Sequence, residues 1–272
     1  MFRAQQSNST IGSTFSLLEL IYHATVRQIR KTHGNALVGL LMNMMQTMIL
    51  VFTFYVMYAL LGRGSTVRGD FLLYIMSGVF LFMTHAKAMS AVFGAEGPTS
   101  AMMKHAPMTT AVSITAAALG ALYIQMLSIV AVLYVYHAAF TPISFYNWVG
   151  ALGMVMLSWF TGVAIGMVFL AAKPWAPDVV GVIQQVYSRA NMIASGKMFL
   201  ANTLPHKMLV LFSWNPLFHT IDQARGYTFI NYNPHFSNWP YALYVGLALM
   251  MIGLLGEFYT RQYASVSWGA RR

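Results

Sequence analysis

The chain has no cysteine. That excludes a disulfide framework, a thiolate metal site and a thiol nucleophile whatever the fold. Acidic residues are scarce too, six Asp and Glu in 272 residues. Acid–base chemistry needs such groups, or histidines, converging on one point. Here only Glu96 and Asp222 stand in stretches rich in other polar groups. The GxxxxGK[ST] phosphate loop is missing, so this chain does not bind ATP in that way, and no HExxH metal motif occurs. The eight histidines are scattered singly along the chain, which points to no metal site. The sequence therefore offers no catalytic constellation, no metal set and no cofactor site of its own.

Charge is scarce overall, 8% of residues against about 25% in soluble domains. In its place 58% of the chain is hydrophobic. Runs of about 20 apolar residues are long enough to cross a hydrocarbon core about 30 Å thick. The expected class is an all-α polytopic membrane protein forming a single transmembrane domain over residues 1–272. The net charge of +10 is spread over loops and not gathered into a stripe, which fits a membrane protein with basic ends and not a nucleic-acid binder. Residues 1–16 are polar and lack the apolar region of a cleavable signal.

Residues 15–33 combine an interrupted apolar stripe (Leu17, Leu20, Ile21, Ala24, Ile29) with Arg27, Arg30 and Lys31. This is the pattern of a helix lying in the membrane interface with its cations at the headgroups. It also suits an amphipathic helix packed on the protein's own surface.

Six spans follow, at about 36–61, 71–93, 111–139, 148–172, 178–200 and 239–259. Asn43, Gln46 and Thr47 in the first are expected to face other helices. Gly162 and Gly166 in the fourth have the GxxxG spacing that allows close helix approach, though glycine is frequent in membrane helices anyway. Aromatic residues cluster at 52–58 and at Tyr134 and Tyr136, where they fit either an interfacial belt or a surface for stacking on sugar rings. With both termini cytoplasmic, ten basic residues fall inside and five outside, the remaining one being Arg189. That asymmetry supports cytoplasmic termini.

Three regions stand out as candidates for function. Arg189 lies 11 residues into the fifth span, about 16 Å along a helix, with Gln185 one turn before it. A charge at such depth faces a partner or a wet cavity, so Gln185 and Arg189 are candidates to line a substrate path; a structural arginine satisfied by carbonyls is the alternative. The segment 94–110, with Glu96, Gly97, Lys104, His105 and Pro107, has helix-breaking ends and could protrude to dock a partner, or simply connect two spans. The third region is 205–235, which includes Trp214-Asn-Pro-Leu-Phe-His-Thr-Ile-Asp-Gln-Ala-Arg-Gly-Tyr227. Pro216 starts or breaks a helix there, with Asn215 before it as a cap. Asp222 and Arg225, three residues apart, can pair across neighbouring faces. Short re-entrant helices before the last span, or an extramembrane loop with one amphipathic turn, both fit.

Taken together, the basic segment Arg27-Gln-Ile-Arg-Lys-Thr-His-Gly34, Arg189, Ser195-Gly-Lys-Met-Phe199, Leu204-Pro205 and Trp214-Asn-Pro-Leu-Phe-His219 with Arg225 resemble the ABC-2-type permeases that export capsular polysaccharide. O-antigen and teichoic-acid permeases are more distant members of that superfamily. The resemblance spans roughly residues 18–262, and the Trp-Asn-Pro-Leu-x-His element is its most specific part. It implies a six-span permease of the bacterial inner membrane, working as a homodimer with two copies of a separate ATPase that binds ATP and Mg. Periplasmic or outer-membrane export proteins and membrane lipids are the further partners it implies. It assigns residues 94–110 to ATPase coupling. It assigns Trp214, Asn215, Pro216, His219, Asp222 and Arg225 to an outer gate. Ala106-Pro107-Met108 departs from the more basic or branched motif usual in relatives. A membrane-embedded enzyme of lipid or glycan synthesis is the alternative from another class.

Overall fold

Helix starts in this chain are set by short polar residues placed against apolar runs. In the computed structural model, which describes residues 10–33, 36–60, 70–97 and 109–263, every regular element among the described residues is helical. The α-helices are α1 (Thr10–His33), α2 (Ala36–Leu60), α3 (Phe71–Phe93), α4 (Thr110–Ala139), α5 (Trp148–Ala172), α6 (Pro177–Ala194), α7 (His206–Phe212), α8 (Pro216–Thr228) and α9 (Trp239–Tyr263). Asp70 caps α3 by accepting from the Leu72 and Leu73 amides. Thr109 and Asn147 cap α4 and α5 in the same way. Each cap satisfies an amide that the helix itself leaves open. Pro177 and Pro216 stand at the first turns of α6 and α8, where a missing N–H costs nothing.

Five of the helices, α2, α3, α4, α5 and α9, are long and apolar enough to cross a membrane. The expected fifth span is different. Its helix ends at Ala194 and not at Leu200, because Gly196 takes a left-handed conformation (φ +74°) and turns the chain away. What remains of it, α6, is 18 residues and rich in polar groups, and it is not among the five.

The bundle is built on α3, buried over most of its length from Leu73 to Val92. It packs against α2, α4, α5 and α8, while α9 packs on the far side of α5. The α3–α5 contact uses the two glycines of the GxxxG spacing. A β-carbon at Gly162 would stand 2.4 Å from the His85 carbonyl oxygen, and one at Gly166 would stand 2.8 Å from that of Met89. Real β-carbons do not approach so closely, so this packing requires glycine. In α2, Asn43 and Thr47 are buried as expected, and Asn43 donates to Gln125 Oε1 at 3.0 Å. Gln46 is more exposed but also faces another helix, accepting from Lys87 of α3. Helix α1 runs beside α4 and α2. Its Phe15, Leu17, Leu18 and Tyr22 point outward, as do Arg27 and Arg30. The side chain of Lys31 lies outside the described residues.

Candidate functional site

The most polar of the longer helices is also among the most buried. Of the 13 residues of α8, ten are buried, among them His219, Thr220, Asp222, Arg225 and Thr228. The helix sits among α3, α5 and α9. Burying such groups is costly unless each finds a partner. The partners come from the irregular chain on either side of α8.

Arg225 is fully buried. Its Nη1 donates to the carbonyls of Gly196 (2.9 Å) and Phe199 (2.6 Å), and its Nη2 to that of Lys197 (2.5 Å). The guanidinium lies over the Tyr74 ring, 4.3 Å from its centre. A planar fork with several fixed N–H groups can collect three carbonyls of one turn; a single ammonium cannot match that geometry. Asp222 faces the chain just beyond that turn and the loop that follows α8. It accepts from the Ala201 amide (3.3 Å), the Tyr232 hydroxyl (2.5 Å) and Ser237 Oγ (2.7 Å). Burial, and then the Asp222 charge, push the Tyr232 phenol up, so it remains a donor. Asp222 and Arg225 therefore do not form the exposed i, i+3 pair that their spacing allows. Both are buried, and each ties α8 to a different piece of backbone.

The remaining residues of the Trp-Asn-Pro element have comparable roles. Asn215 Oδ1 accepts from the Leu217 amide, while its Nδ2 donates to Asn191 Oδ1 (2.5 Å) and the Ala194 carbonyl (3.1 Å). The α8 cap is thus fastened to the end of α6. Pro216 is buried at the helix start. His219 bridges the Ser213 carbonyl at Nε2 (2.7 Å) and the Asn238 amide at Nδ1 (3.0 Å). Those partners make Nε2 the protonated nitrogen and Nδ1 the acceptor, so the ring is a neutral brace. Trp214 is 78% exposed, and its carbonyl accepts from the Tyr241 hydroxyl.

A second buried polar chain joins this cap to the middle of the bundle. Asn191 Nδ2 donates to His85 Nε2 (3.4 Å), which also faces the Tyr187 hydroxyl (3.2 Å). His85 Nδ1 faces Thr161 Oγ1 at 3.1 Å, and that hydroxyl donates to the Ser158 carbonyl. Nδ1 is therefore the donor. Hydrogen bonds run in one direction from Asn215 of α8 through α6 and α3 to α5.

Gln185 and Arg189 do not join either cluster. Both are exposed on α6, on a face shared with Val182, Val186 and Ile193, and neither has a hydrogen-bond partner among the described residues. Of the coupling segment, Glu96 and Gly97 are described. The Glu96 amide donates to Ser113 Oγ at 3.1 Å, which holds the end of α3 to the start of α4. Lys104, His105 and Pro107 lie outside the described residues. Sequence reading missed Gly78, Tyr232, Ser237 and the His85–Asn191 chain, because their value lies in contacts between segments distant in sequence.

No group of three or more His, Asp or Glu residues that could hold a metal occurs among the described residues. No family model matches the chain, and no curated protein matches it.

Proposed function

We propose that this protein is the membrane-spanning permease subunit of an ATP-driven exporter that moves a lipid-linked, anionic polysaccharide out of the cytoplasm. The observation that carries this reading is the Arg225 fork. Two of the sequence elements that carry the resemblance, Ser195–Phe199 and Trp214–Arg225, are hydrogen-bonded to each other through it. A polar, broken backbone at membrane depth is tolerated where protein covers it or where it lines a wet cavity. Here the Asp222 and Arg225 contacts supply that cover, and they fasten α8 to the chain on either side of it, a braced element suited to a gate.

In this reading α6 is the fifth of six crossings. Its exposed face, with Gln185 and Arg189 between Val182, Val186 and Ile193, suits a helix that a second copy encloses. The two polar groups then line the polymer path, and Arg189 meets its negative charges. The outward apolar residues and cations of α1 suit the interface of the inner membrane, with both termini cytoplasmic. ATP and Mg belong to two copies of a separate ATPase that docks on the segment after α3. Export of an O-antigen or teichoic-acid polymer by the same machine is the nearest variant. The reading as an enzyme of lipid or glycan synthesis draws less support, since Asp222 and His219 are both engaged in structural hydrogen bonds.

The test is deletion of the gene in its host, with measurement of surface polysaccharide and of polymer retained in the cytoplasm. The expected result is loss of surface polymer with accumulation inside, reversed by the intact gene. Unchanged surface polymer, or no polymer made at all, would contradict the export reading.

A further inference from the structure

We propose that the cavity between α1, α2, α3 and α4 binds the phosphate group of an anionic membrane phospholipid, with Lys87 as its cation. This site is remote from α8 and does not depend on the export reading. The cavity measures about 270 Å³ and carries Lys87, Gln46, Asn43, Ser90 and Gln125 on its walls, with no carboxylate among its lining residues.

Its donors are unspent. Lys87 Nζ donates to Gln46 Oε1 at 2.5 Å, which uses one of the three N–H bonds of an ammonium. Gln125 is 1% exposed, and its Oε1 accepts from Asn43. Its Nε2 is buried with no partner among the described residues. A buried amide donor is rarely left unpaired, and a lysine with no counter-ion on an apolar helix is unfavourable. One singly charged phosphodiester answers both. Its oxygens accept from Lys87, from Gln125 Nε2 and from the Ser90 hydroxyl, and its single negative charge balances the single cation.

The place in the fold points to a lipid as the source. Lys87 is six residues from the C-terminal end of α3, about 9 Å along the axis, level with α1. Helix α1 closes one wall, where a β-carbon on Gly120 would meet Ile29 at 3.6 Å and Gln28 at 3.8 Å. The flank of α2 outside the cavity is apolar and exposed at Leu41, Met45 and Ile49, which suits acyl chains. A zwitterionic headgroup would bring a second cation for which the cavity has no acceptor carboxylate. Free inorganic phosphate shares the donors but gains nothing from the α2 flank.

The experiment measures thermal unfolding of the purified full chain in a neutral detergent, titrated with dioctanoyl-phosphatidylglycerol, dioctanoyl-phosphatidylcholine or inorganic phosphate. Phosphatidylglycerol is expected to raise the melting temperature saturably and phosphatidylcholine far less. Lys87→Gln should weaken the phosphatidylglycerol effect by about tenfold or more, while Lys87→Arg keeps most of it. Gln125→Glu, nearly isosteric, supplies an internal counter-ion and should abolish the effect while the unliganded protein still unfolds cooperatively. Equal stabilisation by inorganic phosphate would overturn the lipid assignment. Equal effects of the two lipids, or a phosphatidylglycerol effect that survives in Lys87→Gln and Gln125→Glu, would overturn the site.

Discussion

Gly78 of α3 makes the room that Arg225 of α8 occupies. A β-carbon on Gly78 would stand 2.8 Å from Arg225 Nη2 and 2.8 Å from the Lys197 carbonyl that this nitrogen binds. Neither can retreat without breaking the hydrogen bonds to Gly196, Lys197 and Phe199. Gly78→Ala should therefore cost about 1–3 kcal/mol, the usual cost of overpacking. Gly181→Ala, where nothing lies within 4 Å of the added carbon, is the control and should be neutral or slightly stabilising. Melting temperatures in detergent separate the two.

Arg225 itself is expected to be needed for folding. Arg225→Ala would leave the Lys197 and Phe199 carbonyls without the donor they now have, while that of Gly196 keeps the Phe199 amide. Each buried unsatisfied polar group costs about 1–3 kcal/mol. The folded yield should fall sharply, and Arg225→Lys should recover only part of it, since an ammonium lacks the planar fork. The amount of monodisperse protein on size exclusion checks this. Equal yields of Arg225→Ala and the intact protein would show that the fork does not hold α8 to the Gly196–Phe199 turn.

Arg189 should behave in the opposite way. It is exposed on α6 and bonds nothing among the described residues, so Arg189→Ala should change stability by no more than about 0.5 kcal/mol. Surface polysaccharide should nonetheless fall, with partial recovery in Arg189→Lys. Loss of the protein from the membrane would give Arg189 a structural role instead.

Asp70 gives a pH dependence of known sign. Burial raises its pKa, but hydrogen bonds from Tyr136, Thr141 and the Leu73 and Leu72 amides outweigh that and hold it below its ordinary value of 3.8. A carboxyl depressed in the folded state contributes its stability above the unfolded pKa and loses it as pH falls through the lower folded one. The contribution should be complete above about pH 5 and drain away below about pH 4. Asp70→Asn should be less stable than the intact protein near neutrality, and the gap should narrow in acid. Melting temperatures of both proteins from about pH 3 to about pH 7 test it.

What could be read from the residues was whatever depends on local chemistry. The apolar runs marked α2 to α5 and α9, and Asn215-Pro216 marked the start of α8, because caps and proline act within a few residues. Gly162 and Gly166 have a spacing that allows a close helix contact or none, and the fold makes one there. The end of α6 was missed although Gly196, which takes the left-handed conformation there, is a local stop signal; the Phe218 ring, 2.5 Å from where a β-carbon would stand, adds a packing reason for glycine that only the fold shows. The burial of Asp222 and Arg225 was equally hidden. Spacing on one helix suggested a pair, but the competing partners at Gly196–Ala201, Tyr232 and Ser237 come from segments that only the fold brings near. Gln185 and Arg189 stood out as polar groups within an apolar run, yet their exposure on α6 could not be foreseen from a hydropathy pattern.

The central claim is that this chain conducts and a separate chain hydrolyses ATP. The most direct test measures ATP hydrolysis by the protein purified to homogeneity, and by the same protein co-expressed with an ATP-binding-cassette protein encoded beside it. The account predicts no turnover by the chain alone. It predicts a stable complex with the second chain, whose turnover is lost when the phosphate-loop lysine of that partner is replaced. Robust hydrolysis by the purified chain alone, or the lack of any such partner that binds it, would contradict the account.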